Sequence, residues 1–201
     1  MIADGFTTTE VGEYFTDLSS TSALIDKSAV CRAADLLSAC LREGNRLYIA
    51  GNGGSASTAS HITVDLMKTV SGPRVGGALR GFGAVCLTDN SAVMTAIAND
   101  FGYEHTLSEQ IGTLGRTGDL VMLISVSGTS PNIVAAAHTA KRLEMPVIAL
   151  TGKDGGDIAS LSDVHVNVPS ADYGVVEDLH LSIGHLLTRM FRQRLVGGTD
   201  G

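Results

Sequence analysis

Five short apolar runs, separated by stretches of helical character, constrain this chain more than any other feature. Arg46–Ala50, Ala84–Leu87, Leu120–Ile124, Pro146–Leu150 and Val164–Val168 have the length and composition of strands. Between them the pattern predicts helices at Ser55–Lys68, Asn90–Ala98, Glu104–Gly112, Ser130–Leu143 and Asp157–Leu161, a glycine-rich loop at Gly72–Gly83 and a long closing helix at Val175–Leu195. Strands joined by helical crossovers pair in parallel, and a parallel sheet must be covered on both faces. The expected fold is therefore α/β, a three-layer αβα sandwich around a central parallel five-stranded sheet. Two further helices, Thr9–Ile25 and Ser28–Glu43, precede the first strand, the second closed by Gly44 as a helix C-terminus commonly is. A chain of 201 residues with no internal repeat makes one domain: residues 1–44 a helical segment, 45–195 the core, 196–201 a flexible tail.

Two turns carry most of the chemistry. Gly51-Asn52-Gly53-Gly54-Ser55 and Ser125-Val126-Ser127-Gly128-Thr129-Ser130 each follow an apolar run and open a helical pattern. Glycines let successive amides turn inward, the following helix offers its positive end, and serines add hydroxyl donors, which together suit a phosphate group. An ordinary strand-to-helix turn, with Gly closing and Ser capping, is the alternative. The second turn follows a strand buried throughout, so its polar tip falls at the carboxyl edge of the sheet, where open α/β folds bind ligands. Neither turn has the Lys-Ser or Lys-Thr pair of a Walker A loop, and the first lacks the G-x-G-x-x-G order. A smaller phosphorylated ligand fits better than a nucleotide.

A formal charge of −7, no Trp, four Tyr and five Phe argue against a nucleic-acid surface. The N-terminus lacks a signal-peptide pattern and no run approaches the length of a membrane span, so a cytoplasmic protein is expected. Cys31, Cys40 and Cys86 are read as buried free thiols. The helix over Val11–Ile25 carries an apolar stripe that a sister subunit or the chain's own core must cover.

Among titratable groups, His61 and Asp65 are four apart on one helix and share a face, while Glu177, His180 and His185 lie on the last helix. Carboxylates and imidazoles from two helices are the donor set of a divalent cation such as zinc, and a surface pair is the plainer alternative. Local spacing favours His180 as partner of Glu177, since Glu177 and His185 are separated by roughly 12 Å of rise at 1.5 Å per residue. His105, His138 and His165 are read as structural.

Assembled, these residues resemble the sugar isomerase (SIS) domain family, and within it the phosphoheptose isomerases. The likeness rests on Ala50 to Ser55, His61 with Asp65, Thr95 to Gly102, Gly118-Asp119-Leu120, Ser125 to Ser130, Leu150 to Gly156, and Glu177 to His180 with His185. It implies an aldose–ketose isomerase acting on sedoheptulose 7-phosphate, assembled as a homotetramer with sites at subunit boundaries and holding zinc or another divalent metal. By position, Ser125, Val126, Ser127 and Ser130 hold the phosphate, while Asn52, Gly53, Gly54, Ser55, Asn99, Asp100 and Glu177 line the sugar. The metal ligands fall on His61, Asp65, Glu177 and His185, replacing the local preference for His180, with Asp65 and His185 as catalytic base and proton relay.

The chain departs from the family pattern at four places. Asp65 stands where Glu is usual, Glu177 where Gln is usual and Val126 where Thr is usual, and Gly174-Val175 lacks polar groups often found before the last helix. A paralogous branch is one implication. A non-catalytic sugar-phosphate-binding protein, or a regulator like the family's replication-initiation factor DiaA, is the alternative to an enzyme. Here, however, both catalytic positions still ionise.

Overall fold

A computed structural model describes residues 5–70 and 81–196. The expected glycine-rich loop lies, up to Arg80, outside the described residues, as does the tail beyond Val196. Two helices come first, α1 (Thr8–Leu24) and α2 (Lys27–Glu43), followed by β1 (Arg46–Gly51) and α3 (Gly54–Val64), which continues into a π turn at Asp65–Thr69. Then come β2 (Gly83–Cys86), α4 (Ser91–Phe101), a 3-10 turn at Tyr103–His105, α5 (Ser108–Leu114) and β3 (Leu120–Ser125). The chain closes with α6 (Pro131–Arg142), β4 (Val147–Gly152), α7 (Gly156–Leu161), β5 (Val164–Val168) and α8 (Tyr173–Val196).

All strand pairs are parallel, in the order β2-β1-β3-β4-β5. Side chains alternate between two cores, as the pleat requires. Leu47, Ile49, Met122, Ile124, Ile148 and Leu150 pack against α2, α3 and α8. Tyr48, Ala50, Val121, Leu123, Val147 and Ala149 pack against α5, α6 and α7. Every residue of β3 and β4 is buried, which is why these strands read as continuous apolar runs. The three-layer αβα sandwich with a five-stranded parallel sheet is the fold observed.

Asp119, 5 % exposed, ties two strand starts together: its carboxylate accepts from the Arg46 amide at 2.8 Å and the Arg116 amide at 3.0 Å. Asp119→Ala would leave both amides without that acceptor, so urea titration should show a loss of roughly 3–6 kcal/mol, the scale for two hydrogen bonds to a charged group. A midpoint unchanged from wild type would remove this role.

Three local expectations fail for physical reasons. The helix expected at Glu104–Gly112 begins at Ser108 and runs to Leu114. Its beginning is displaced because the Thr106 hydroxyl donates to the Tyr103 carbonyl and the buried Gln110 amide side chain donates to the Thr106 carbonyl, competing with a regular helical start. The helix expected over Ser55–Lys68 changes pitch at Asp65, where the Val70 amide donates to the Asp65 carbonyl at 3.1 Å, five residues back. Cys31 is exposed, while Cys40 and Cys86 are buried; burial pushes the Cys40 thiol up to about 12 and raises Cys86 as well.

Helix α1 starts with a capping box between Thr7 and Glu10. Its apolar face is only partly covered by the chain itself. Tyr14 and Leu18 pack against the core, and the Tyr14 hydroxyl donates to Asp178 on α8 at 2.6 Å, which pushes the phenol up to about 12. Val11, Phe15 and Leu24 are more than half exposed. No helix among the described residues is long and apolar enough to cross a membrane.

Candidate functional site

The chain leaves β1 for β2 on one side and returns for β3 on the other, so β1 and β3 are the neighbours at which strand order reverses. Their pairing sets Gly51 beside Ile124, which brings the two glycine- and serine-bearing turns together at one carboxyl edge. Asn52 and Asn132 bridge them with reciprocal side-chain hydrogen bonds of 2.9 and 2.8 Å, and the Tyr103 hydroxyl donates to Asn52 Oδ1 at 2.9 Å. Asn99 and Asp100 lie near the end of α4, both exposed, and bond each other at 2.8 Å. Tyr103 and Asn132 escaped the sequence reading. The available signal was a polar residue, Asn132, just after Pro131 in the first turn of α6.

The turns are not equivalent. Gly51 approaches Ser55 so closely that a Cβ would meet its backbone, and Gly53, at φ 54°, caps α3 without a side-chain bond. A Cβ on Gly54 would overlap the Glu177 carboxylate. That carboxylate therefore already lies against the start of α3, where negative charge is favoured, and opposes a second anion there. The serine turn has no such neighbour among the described contacts. Gly128, at φ 67°, donates its amide to Ser125, and Ser130 caps α6 without using its side chain. The Ser125 side is buried, Val126 is buried, and Ser127 and Ser130 are half-buried at the rim. Of the two turns, the second is the one whose helix start faces no carboxylate among the described contacts.

Farther along α3, the helix packs in step with α8. Gly54 meets Glu177 at one end, and seven or eight residues on, Gly184 lets α8 approach Ile62 so closely that a Cβ would come 2.5 Å from its Cγ1. One turn of the match places His61 Nε2 2.9 Å from His185 Nε2. Asp65 Oδ2 is 3.7 Å from the first and 3.9 Å from the second, and Asp65 Oδ1 accepts from the Thr69 hydroxyl at 3.2 Å. Two imidazole nitrogens this close share one proton or one cation. A point equidistant from the three atoms lies about 2.1 Å from each, the bond length of zinc to nitrogen or carboxylate oxygen, so the donor set fits a divalent cation.

Glu177 does not join this cluster; the ligating groups that converge among the described residues are those of His61, Asp65 and His185. Nor does His180. Its ring is wholly buried, Nε2 bonds the Thr151 carbonyl at 3.0 Å, and burial pushes the imidazole down to about 4. The local preference for His180 as a ligand is overturned. His61 and Asp65 face a cleft of about 580 Å³ that also presents Ser57, Ser60, Thr88 and Asp89. His105 and His138, exposed as expected, line a separate depression between α5 and α6.

The SIS domain profile matches residues 13–152. A phosphoheptose isomerase of Geotalea daltonii is 39% identical over 168 residues, covering 84% of this chain and 85% of that protein. The solved structure of phosphoheptose isomerase GmhA from Neisseria gonorrhoeae superposes with a TM-score of 0.81 at 32% identity, covering 91% of this chain and 95% of the other. A phosphoheptose isomerase from Francisella tularensis superposes with a TM-score of 0.83 at 30% identity, covering 94% and 100%.

Proposed function

Because the chain belongs to the SIS domain family, and within it to the phosphoheptose isomerases, we propose that it interconverts sedoheptulose 7-phosphate and D-glycero-D-manno-heptose 7-phosphate. The observation that carries the reading is the meeting of Asp65 with His61 and His185, from two helices, in a chain whose two glycine- and serine-bearing turns share one carboxyl edge of the sheet.

The reaction moves a carbonyl between C2 and C1. A base takes a proton from C1 of the ketose, an enediolate forms, and the proton returns to C2, while a second proton passes from O1 to O2. Asp65 is the base. Oδ2 faces the imidazoles, so Oδ1, held by Thr69 in the free protein, is the oxygen that takes the carbon-bound proton. His185, its Nε2 turned to His61 and Asp65, relays the proton between the two oxygens through its other ring nitrogen, Nδ1. His61, Asp65 and His185 would hold zinc or another divalent cation, which would supply Lewis acidity for the enediolate charge. Ser125, Ser127 and Ser130, with the backbone at Val126, bind the phosphate, and Asn52, Gly53, Gly54, Ser55, Asn99, Asp100 and Glu177 line the sugar; binding at the remote phosphate fixes the register of the reacting carbons.

The exposed apolar residues of α1 support association of residues 1–44 into a homotetramer around one SIS core per chain, with sites at subunit boundaries. Glu177, distant from His185 along α8, would join the ligand set only from a neighbouring subunit. The work is assigned to the cytoplasm.

Purified protein assayed on sedoheptulose 7-phosphate, with metal analysis alongside, tests the assignment. Bound divalent metal and turnover are expected, with chelator lowering turnover at least about tenfold and re-added zinc restoring it, the scale on which metal sites respond to disruption. Neither metal nor turnover, with phosphate-sugar binding retained, would replace the enzyme by the non-catalytic binding protein.

A further inference from the structure

We propose that His165, which takes no part in the chemistry above, is a positioning residue for the phosphate-binding turn and acts on it through Gly155. The inference rests on the reading of Ser125–Ser130 as the phosphate site.

His165 lies on the edge strand β5, and its Nε2 is 2.6 Å from Thr151 Oγ1. The Thr151 hydroxyl donates its one proton to Asn167 Oδ1 at 2.9 Å, and the Asn167 amide is oriented by donating to the Lys153 carbonyl at 3.1 Å. Thr151 Oγ1 can then only accept from the ring, which fixes the hydrogen on His165 Nε2. Burial holds this imidazole below its ordinary pKa and so keeps it neutral at neutral pH.

The anchored ring forms a floor. A Cβ on Gly155 would lie 2.6 Å from His165 Cε1, so the ring fits directly beneath the backbone of the β4–α7 turn. That turn in turn presses on the phosphate-binding one: a Cβ on Gly128 would overlap the Gly155 carbonyl, and one on Gly156 would overlap the Ser127 carbonyl. Hydrogen bonds close the contact, the Gly152 amide donating to Val126 at 3.1 Å and the Ile158 amide to Gly128 at 3.1 Å. Ring, Gly155 and Gly128 thus stack without slack, and the stack ends on the backbone that aims Ser125, Ser127 and Ser130.

A phosphate cradle binds well only when its amides and hydroxyls converge at once, and small displacements are costly. His165→Ala removes both the floor and the bond to Thr151. The expected result is about a tenfold rise in KM for sedoheptulose 7-phosphate and a matching rise in the Kd of inorganic phosphate, with kcat within about twofold of wild type. His165→Gln, whose amide can donate to Thr151, should recover most of the loss. Should His165→Ala fail to fold, Thr151→Val, which keeps shape but removes the accepting oxygen, must shift KM and phosphate affinity in the same direction. Unchanged KM and phosphate affinity in the folded variants, despite normal affinity in wild type, would overturn the role of His165 alone. Wild-type protein that turns over the sugar but shows no competition by phosphate would overturn the assignment of the turn and this inference with it.

Discussion

Asp65→Asn is expected to lower turnover of sedoheptulose 7-phosphate at least about a hundredfold, and His185→Ala to do the same, with phosphate-ligand binding retained in both. Asparagine keeps the size of the side chain and an oxygen for Thr69, 3.2 Å away, but has no carboxylate to receive a proton from carbon. Alanine at 185 removes the whole imidazole: the Nε2 that lies 2.9 Å from His61 Nε2 in the ligand cluster, and the other ring nitrogen that serves the two sugar oxygens. Neither change touches the serine turn, so inorganic phosphate should compete as it does with wild type. Rates measured by following aldose formation decide the matter: undiminished turnover in either variant removes that residue from the mechanism.

Gly184→Leu should be as damaging without altering any reacting group. Gly184 is where α8 comes closest to Ile62, and a Cβ there already lies 2.5 Å from the Ile62 side chain. A leucine must push α3 and α8 apart or distort Ile62, at a cost of roughly 1–3 kcal/mol for overpacking. The larger effect is on the site, because His61 and His185 belong to the two helices so separated. Loss of bound metal and of at least about a hundredfold in turnover is expected, since displacements of the order of an ångström cost that much. Adding Ile62→Ala, which opens the needed room, should return part of both. A Gly184→Leu protein with full metal content and activity would show that the helix spacing does not set the cluster.

All five strands were legible: β3 and β4, buried on both faces, are apolar up to their carboxyl ends, the edge strand β5 alternates buried valines with half-buried His165 and Asn167, and glycines and polar residues mark the ends, as at Asp119 and Gly51. Helix interruptions were not. The start of α5 depends on side chains of Thr106 and Gln110 taking backbone carbonyls, a competition that periodicity does not register. The pairing of His61 with Asp65 followed from their spacing, whereas the choice of His185 over His180 came from family resemblance. A signal for it was nevertheless present: Val176, His180, Ile183 and Leu187 form the buried stripe of α8, so His180 points inward with the apolar residues and His185 does not. The contact of Glu177 with Gly54 was beyond reach, since it depends on α3 and α8 running side by side in matched steps.

The π turn at Asp65–Thr69 has a consequence of its own. Such a turn holds one residue more than the α turn it replaces, and in a regular helix each residue turns the chain by about 100°. Dropping one residue between Leu66 and Thr69 would restore an ordinary helix but re-aim everything downstream relative to the carboxylate that precedes it. In this stretch, chain length is as much a part of the active centre as residue identity, and an indel there is a functional mutation even when every charged group survives.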